Sequence, residues 1–119
     1  MKVLLVEDND AFRTTLRDTL RREGYAVVEE SNGDKALTAV VTQSPDIVIL
    51  DHHIPGLMGM DLLRAVRKRR PDLPVVLMSA SVDPTTVDQA LGMGRTRYLG
   101  KPFRIQELVG EIRWLTASL

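Results

Sequence analysis

The chain has 119 residues, 44% of them hydrophobic, the size and apolar content of a single domain spanning residues 1–119 with one packed core. Its 16 lysines and arginines balance its 16 aspartates and glutamates, so no overall field draws it to nucleic acid or to an anionic membrane. It has no cysteine, which excludes a disulfide framework and a thiolate metal site and agrees with a reducing compartment. No apolar run is long enough to span a bilayer, and Met1 leads into strand-like sequence rather than a charged leader, so a cytoplasmic protein is expected.

Along the chain, strand-like and helix-like patterns alternate. Lys2 to Val6 has the continuous apolar character of a strand buried on both faces. Asn9 and Asp10 offer N-caps to a first helix with Phe12, Leu16 and Leu20 as its stripe, and Gly24 lies past its end. Tyr25 to Glu29 reads as a second strand, more polar and therefore expected at an edge. A second helix follows Asn32 and Gly33, burying Ala36, Leu37, Val40 and Val41, and stops before Pro45. Asp46 to Leu50 is the third strand, followed by a loop with Pro55, Gly56 and Gly59. The third helix runs from Met60 to Arg69 with Leu62, Leu63 and Val66 inward. Pro71 and Pro74 close it off and introduce the strand Val75 to Met78. Asp83 and Pro84 suit the N-cap and first turn of a fourth helix. It is the weakest of the set, with Val87, Ala90 and Leu91 as its apolar face before Gly92 and Gly94. Arg97 to Leu99 is a short strand ahead of Lys101-Pro102, and the last helix carries Ile105, Leu108, Val109, Ile112 and Leu115. This alternation predicts an α/β fold, a mostly parallel sheet with helices on both faces.

Four of these runs end on a polar residue suited to a phosphate: Asp8, Asp51, Ser79 and Lys101. In parallel strands those ends share one sheet edge, where open α/β sheets bind ligands. Asp51 is the expected nucleophile, because a carboxylate can form an acyl phosphate and divide a phosphoryl transfer into two steps. Two carboxylates about 4 Å apart repel by about 4 kcal/mol at an effective dielectric near 20, so Asp8 beside Asp51 calls for a cation. Mg²⁺ suits such oxygen ligands. Blander roles compete at each position: Asp8 as a helix cap, Asp51 as a turn former, Ser79 and Lys101 as ordinary surface residues.

The pair Glu7-Asp8, Asp51 with Pro55 and Gly59 beyond it, Ser79-Ala80, Tyr98 and Lys101-Pro102-Phe103 occur in one order along the chain. In this the sequence resembles the receiver domains of two-component response regulators over essentially its whole length. The resemblance implies a flavodoxin-like doubly wound five-stranded sheet in the order 2-1-3-4-5. It implies Mg²⁺ held by Asp8 and Asp51 directly, by Glu7 through water and by the backbone carbonyl of His53. Lys101 and Ser79 would each meet a phosphoryl oxygen, with Lys101 preceding a cis proline. Tyr98 would turn into space vacated by Ser79, and His53 and Ser81 would tune the lifetime of the acyl phosphate. The implied donor is a sensor histidine kinase or a histidine phosphotransfer protein. The implied readout runs through the fourth helix, fifth strand and fifth helix to an output protein or domain, and a homodimer is left open. Such a domain assists its own phosphorylation and dephosphorylation and is not an enzyme acting on a separate substrate.

His52 and His53 depart from the family pattern, which has apolar residues directly after the acceptor. A metal site there is disfavoured, since neighbouring side chains on extended backbone point opposite ways and no cysteine joins them. The basic run Arg67 to Arg70 is expected as a solvated group of cations offsetting a helix dipole rather than a nucleic-acid contact. Arg95, Thr96 and Arg97 replace the small and acidic residues usual before the fifth strand. Among other classes, a flavin-binding protein of this fold would need a Ser, Thr and Gly loop where this chain has Glu-Asp-Asn-Asp. A haloacid-dehalogenase-type phosphatase would need an acid at His53. The main alternative is a degenerate receiver that acts as a phosphorylation-independent interaction module.

Overall fold

A computed structural model describes residues 1–80 and 83–117. Among them, strands β1 (Lys2–Val6), β2 (Ala26–Glu30), β3 (Ile47–Asp51), β4 (Val75–Ser79) and β5 (Thr96–Gly100) alternate with five helices. These are α1 (Asp10–Arg22), α2 (Gly33–Gln43), α3 (Gly59–Arg69), α4 (Pro84–Leu91) and α5 (Ile105–Thr116). The strands form one parallel sheet in the order β2-β1-β3-β4-β5, as the resemblance implied.

Alternation along each strand divides the core into two layers. Leu4, Val6, Val48, Leu50, Val75 and Leu77 face α2, α3 and Ala90 of α4. Val3, Leu5, Ile47, Ile49, Val76 and Met78 face Leu16 and Leu20 of α1 and Leu108, Ile112 and Leu115 of α5. The inner strands β3 and β4 are buried throughout, whereas β2 is only half-buried, as its polar sequence foretells for an edge. Asn9 accepts from Phe12 N at 2.9 Å, Asn32 from Asp34 N at 2.8 Å and Asp83 from Thr86 N at 2.9 Å, so the expected caps start α1, α2 and α4.

Some boundaries and faces differ from expectation. β3 and β4 each extend to include the polar residue at their end, Asp51 and Ser79. β2 begins at Ala26 and leaves Tyr25 outside. On α2 the buried set is Ala36, Ala39 and Val40, while Val41 is 60% exposed, because one more residue turns it about 100° off the inward face. On α4 Ala90 is buried, but Leu91 is 44% exposed for the same reason.

Candidate functional site

The register of the central strands creates the site. Val6 pairs with Leu50, so Glu7 and Asp51 are the next residues on neighbouring strands, and Ser79 pairs with Gly100 at the end of β4. Glu7 N–H donates to Glu30 O at 3.0 Å, holding the chain in line past β1. Glu7, Asp51 and Ser79 are all buried there. Asp8 is exposed, and since Asn9 caps α1, its carboxylate is not used as the cap. Carboxylate oxygens of Glu7, Asp8 and Asp51 lie within 4.8 Å of one another.

Lys101 closes the cluster. Its Nζ donates to Glu7 Oε1 at 2.8 Å and to Asp51 Oδ2 at 3.1 Å, across 94 and 50 residues of sequence. Its backbone N–H donates to Ser79 O at 2.8 Å, and the Lys101–Pro102 peptide is cis. The ammonium also stands 4.6 Å from the centroid of Phe12, whose ring meets Phe103 edge-on. Asp51 Oδ1 accepts from His53 N at 3.2 Å, so the turn-forming role open to Asp51 coexists with the ion pair. Burial drives the Glu7 carboxyl up to about 6, against the lowering effect of Lys101 and of the Asn9 N–H on Oε2. Burial also acts to lower the Lys101 ammonium, but its bonds to Glu7 and Asp51 prevail and raise it.

Three carboxylates thus face one ammonium. That surplus of negative oxygen donors in a confined pocket fits a hard divalent cation, with Glu7, Asp8 and Asp51 as the side chains able to hold it.

Comparison with known proteins assigns the chain to a family. The profile of the response regulator receiver domain matches residues 3–113. The chain belongs to that family. The receiver is 36% identical over 115 residues to the response regulator MprA of Mycobacterium leprae, covering 97% of this chain and 50% of that one. It is 38% identical over 114 residues to the DNA-binding response regulator MtrA of Mycolicibacterium smegmatis, covering 94% and 49%. The receiver therefore spans about half the length of the curated relatives it matches. Among solved structures, a Francisella response regulator receiver domain superposes with a TM-score of 0.90 at 28% identity, covering 98% of this chain and 97% of that one. The chemotaxis protein CheY4 of Vibrio cholerae gives 0.88 at 27% identity, covering 96% and 97%.

Other sequence-predicted residues of the receiver fall as follows. Tyr98 is half-buried, with its hydroxyl close to Gly100, the residue paired with Ser79: a Cβ added to Gly100 would lie 3.6 Å from it. Ser81 lies outside the described residues. His52 and His53 do not diverge as extended backbone would require. Their rings meet edge-to-face with centroids 4.6 Å apart, because the strand ends at Asp51 and the alternation of side chains ends with it.

The basic run is also corrected. Lys68 and Arg69 are exposed, but Arg67 is partly buried. Its guanidinium donates to Met93 O, to Leu73 O, to Arg95 O at 2.9 Å and to Thr96 Oγ1 at 2.8 Å. Arg70 donates to Pro45 O at 2.7 Å. These two bind backbone at the far end of the sheet instead of sitting in solvent. Helical phase carried the signal for Arg67, which follows inward Val66 and stands four residues after inward Leu63. Phe12, expected only in the core stripe, turns out to support Lys101.

Among the described residues, no helix is long and apolar enough to cross a membrane. On the face of α4, β5 and α5, Arg97 lies over the Trp114 ring, 4.6 Å from its centroid, and pairs with Glu111 at 2.6 Å. Trp114 itself is 66% exposed.

Proposed function

We propose that this receiver accepts a phosphoryl group on Asp51 from a phosphohistidine of a sensor kinase or phosphotransfer protein, and that the added charge switches the face of α4, β5 and α5. The observation that carries this reading is Lys101 Nζ bridging Glu7 and Asp51 at the ends of adjacent strands. The bridge sets the buried Asp51 carboxylate beside a cation that would follow charge onto a transferred group. An Asp51 oxygen would attack phosphorus; the O–P bond forms as the N–P bond of the donor breaks, and the donor imidazole leaves with the electron pair.

Mg²⁺, held by Asp8 and Asp51 with Glu7 behind them, would neutralise charge on the phosphoryl oxygens when bound. The chain's own groups do the rest. His53 N–H and Lys101 hold Asp51 by one oxygen each, which orients the carboxylate. Phe12 packs beside the Lys101 ammonium and shields one side of it, with Phe103 edge-on against the Phe12 ring. Ser79 is buried at the end of β4, at the position from which a hydroxyl could approach a phosphoryl oxygen on Asp51. Addition of close to two negative charges at Asp51 would draw Lys101 and Ser79 toward the phosphoryl group, and Tyr98 would follow Ser79 inward.

The test is intact mass after incubation with a small-molecule phosphodonor and Mg²⁺. One added phosphate is expected for the native chain, and none for Asp51→Asn or without metal. An unmodified native chain under these conditions favours the degenerate-receiver alternative. An Asp51→Asn chain that still gains phosphate overturns the choice of acceptor.

A further inference from the structure

The two histidines after Asp51 form a donor set of a different kind from the carboxylate pocket. His52 Nδ1 and His53 Nε2 are 3.4 Å apart, and their ring planes stand at 87°. An N–H···O hydrogen bond usually spans about 2.9–3.0 Å, and by that measure the contact between these ring nitrogens is a long one. It is, however, the span of two ligands on a tetrahedral ion: with metal–nitrogen bonds of about 2.0–2.1 Å, cis nitrogens stand about 3.3–3.4 Å apart. Neither ring has another hydrogen-bond partner among the described residues. His53 is exposed and His52 half-exposed, so water can fill the remaining positions.

We propose that His52 and His53 together bind a borderline divalent cation of the zinc class, beside the carboxylate pocket and distinct from it in donor chemistry. Imidazole nitrogens suit Zn²⁺, Cu²⁺ and Ni²⁺, whereas Mg²⁺ keeps to oxygen. The two donor sets therefore sort the two kinds of ion. The inference stands on the two rings and does not depend on phosphorylation of Asp51.

The experiment titrates ZnCl₂ into the chain in saturating Mg²⁺, followed by calorimetry and by ¹⁵N spectra of the imidazoles. One equivalent is expected to bind, with the His52 Nδ1 and His53 Nε2 resonances shifting together. Loss of an outer-shell partner alone commonly weakens metal binding about 10- to 100-fold, so His53→Gln should weaken it by at least that much. Because His53 is exposed, this variant should fold, and His52→Gln should give the same loss. Asp8→Asn should leave zinc binding in place. Zinc affinity that ignores His53→Gln, or that vanishes with Asp8→Asn while the imidazole resonances stay still, overturns the proposal.

Discussion

Replacing Glu7 by Gln should make the protein more stable at neutral pH and leave it nearly unchanged in acid. The Glu7 carboxyl titrates at about 6 in the folded chain against an ordinary value of 4.5, chiefly because it is buried. Each tenfold separation between folded and unfolded ionisation corresponds to about 1.4 kcal/mol, so the ionised carboxylate costs the native state about 2 kcal/mol. The sign follows from proton counts. Between the two values the native chain holds the proton and the unfolded chain releases it, so stability is highest below the unfolded value and falls as pH rises through the folded one. Gln resembles the protonated side chain in shape, and its single oxygen can keep the bond from Lys101 while giving up the weaker one from the Asn9 N–H, which falls on the other Glu7 oxygen. At about pH 7.5 Glu7→Gln should therefore gain up to about 2 kcal/mol, or about 1 M in the urea midpoint at a typical slope. Near pH 4.5, the ordinary value, the gain should shrink to less than about 0.5 kcal/mol. Urea unfolding at both pH values, without divalent ions, measures it. A variant less stable at neutral pH, or equally shifted at both, would refute the view that burial dominates over the Lys101 bond.

Mg²⁺ should stabilise the native chain, by about 2.7 kcal/mol at 100 times its Kd, and thermal unfolding of Asp8→Asn should show most of that gain lost. Arg67→Met removes the donor to Leu73 O, Met93 O, Arg95 O and Thr96 Oγ1 and should cost about 2–4 kcal/mol in urea unfolding. Arg67→Lys should recover less than half, since an ammonium cannot reproduce the planar fork. Gly59→Ala would put a Cβ 2.6 Å from His52 Cα and 2.7 Å from its carbonyl oxygen, both backbone atoms that cannot turn aside. A loss of about 2–3 kcal/mol is expected, together with broadened amide spectra for the loop after Asp51.

The sheet order and the convergence of Glu7, Asp51, Ser79 and Lys101 were legible because parallel strands bring their ends to one edge whatever the loops do. The partner of each group at that edge was not. That the Lys101 ammonium reaches Glu7 as well as Asp51, over the Phe12 ring, depends on rotamers and on the path of the chain around Pro102, neither of which has a sequence period. The errors share one origin: a periodic rule carried past the element that justifies it, or applied too coarsely within it. His52 and His53 were assigned opposite directions by the alternation of a strand that has already ended. Arg67 was grouped with Lys68 and Arg69 by charge, although helical phase separates it from both. Val41 was grouped with Val40 by hydrophobicity, although with Ala39 and Val40 already inward the next residue, about 100° further round the helix, faces solvent.

The two ends of the sheet are held by opposite devices, and this bears on how a signal could leave Asp51. At the far end, Arg67 ties the last turn of α3 to the approach to β4 and to the start of β5. The inner strands are closed on both faces by apolar packing. Glu7 and Asp51 therefore cannot relieve their repulsion by sliding apart, because each is fixed by the register of a buried strand. Relief must come from a cation, from a proton or from a segment less firmly attached. α4 is such a segment: it has eight residues, and among them Ala90 is the one fully buried. With β5 anchored at its start and α4 holding one fully buried residue beside it, charge added at Asp51 under the proposed function would find its cheapest outlet in displacement of α4 rather than in slippage of the sheet.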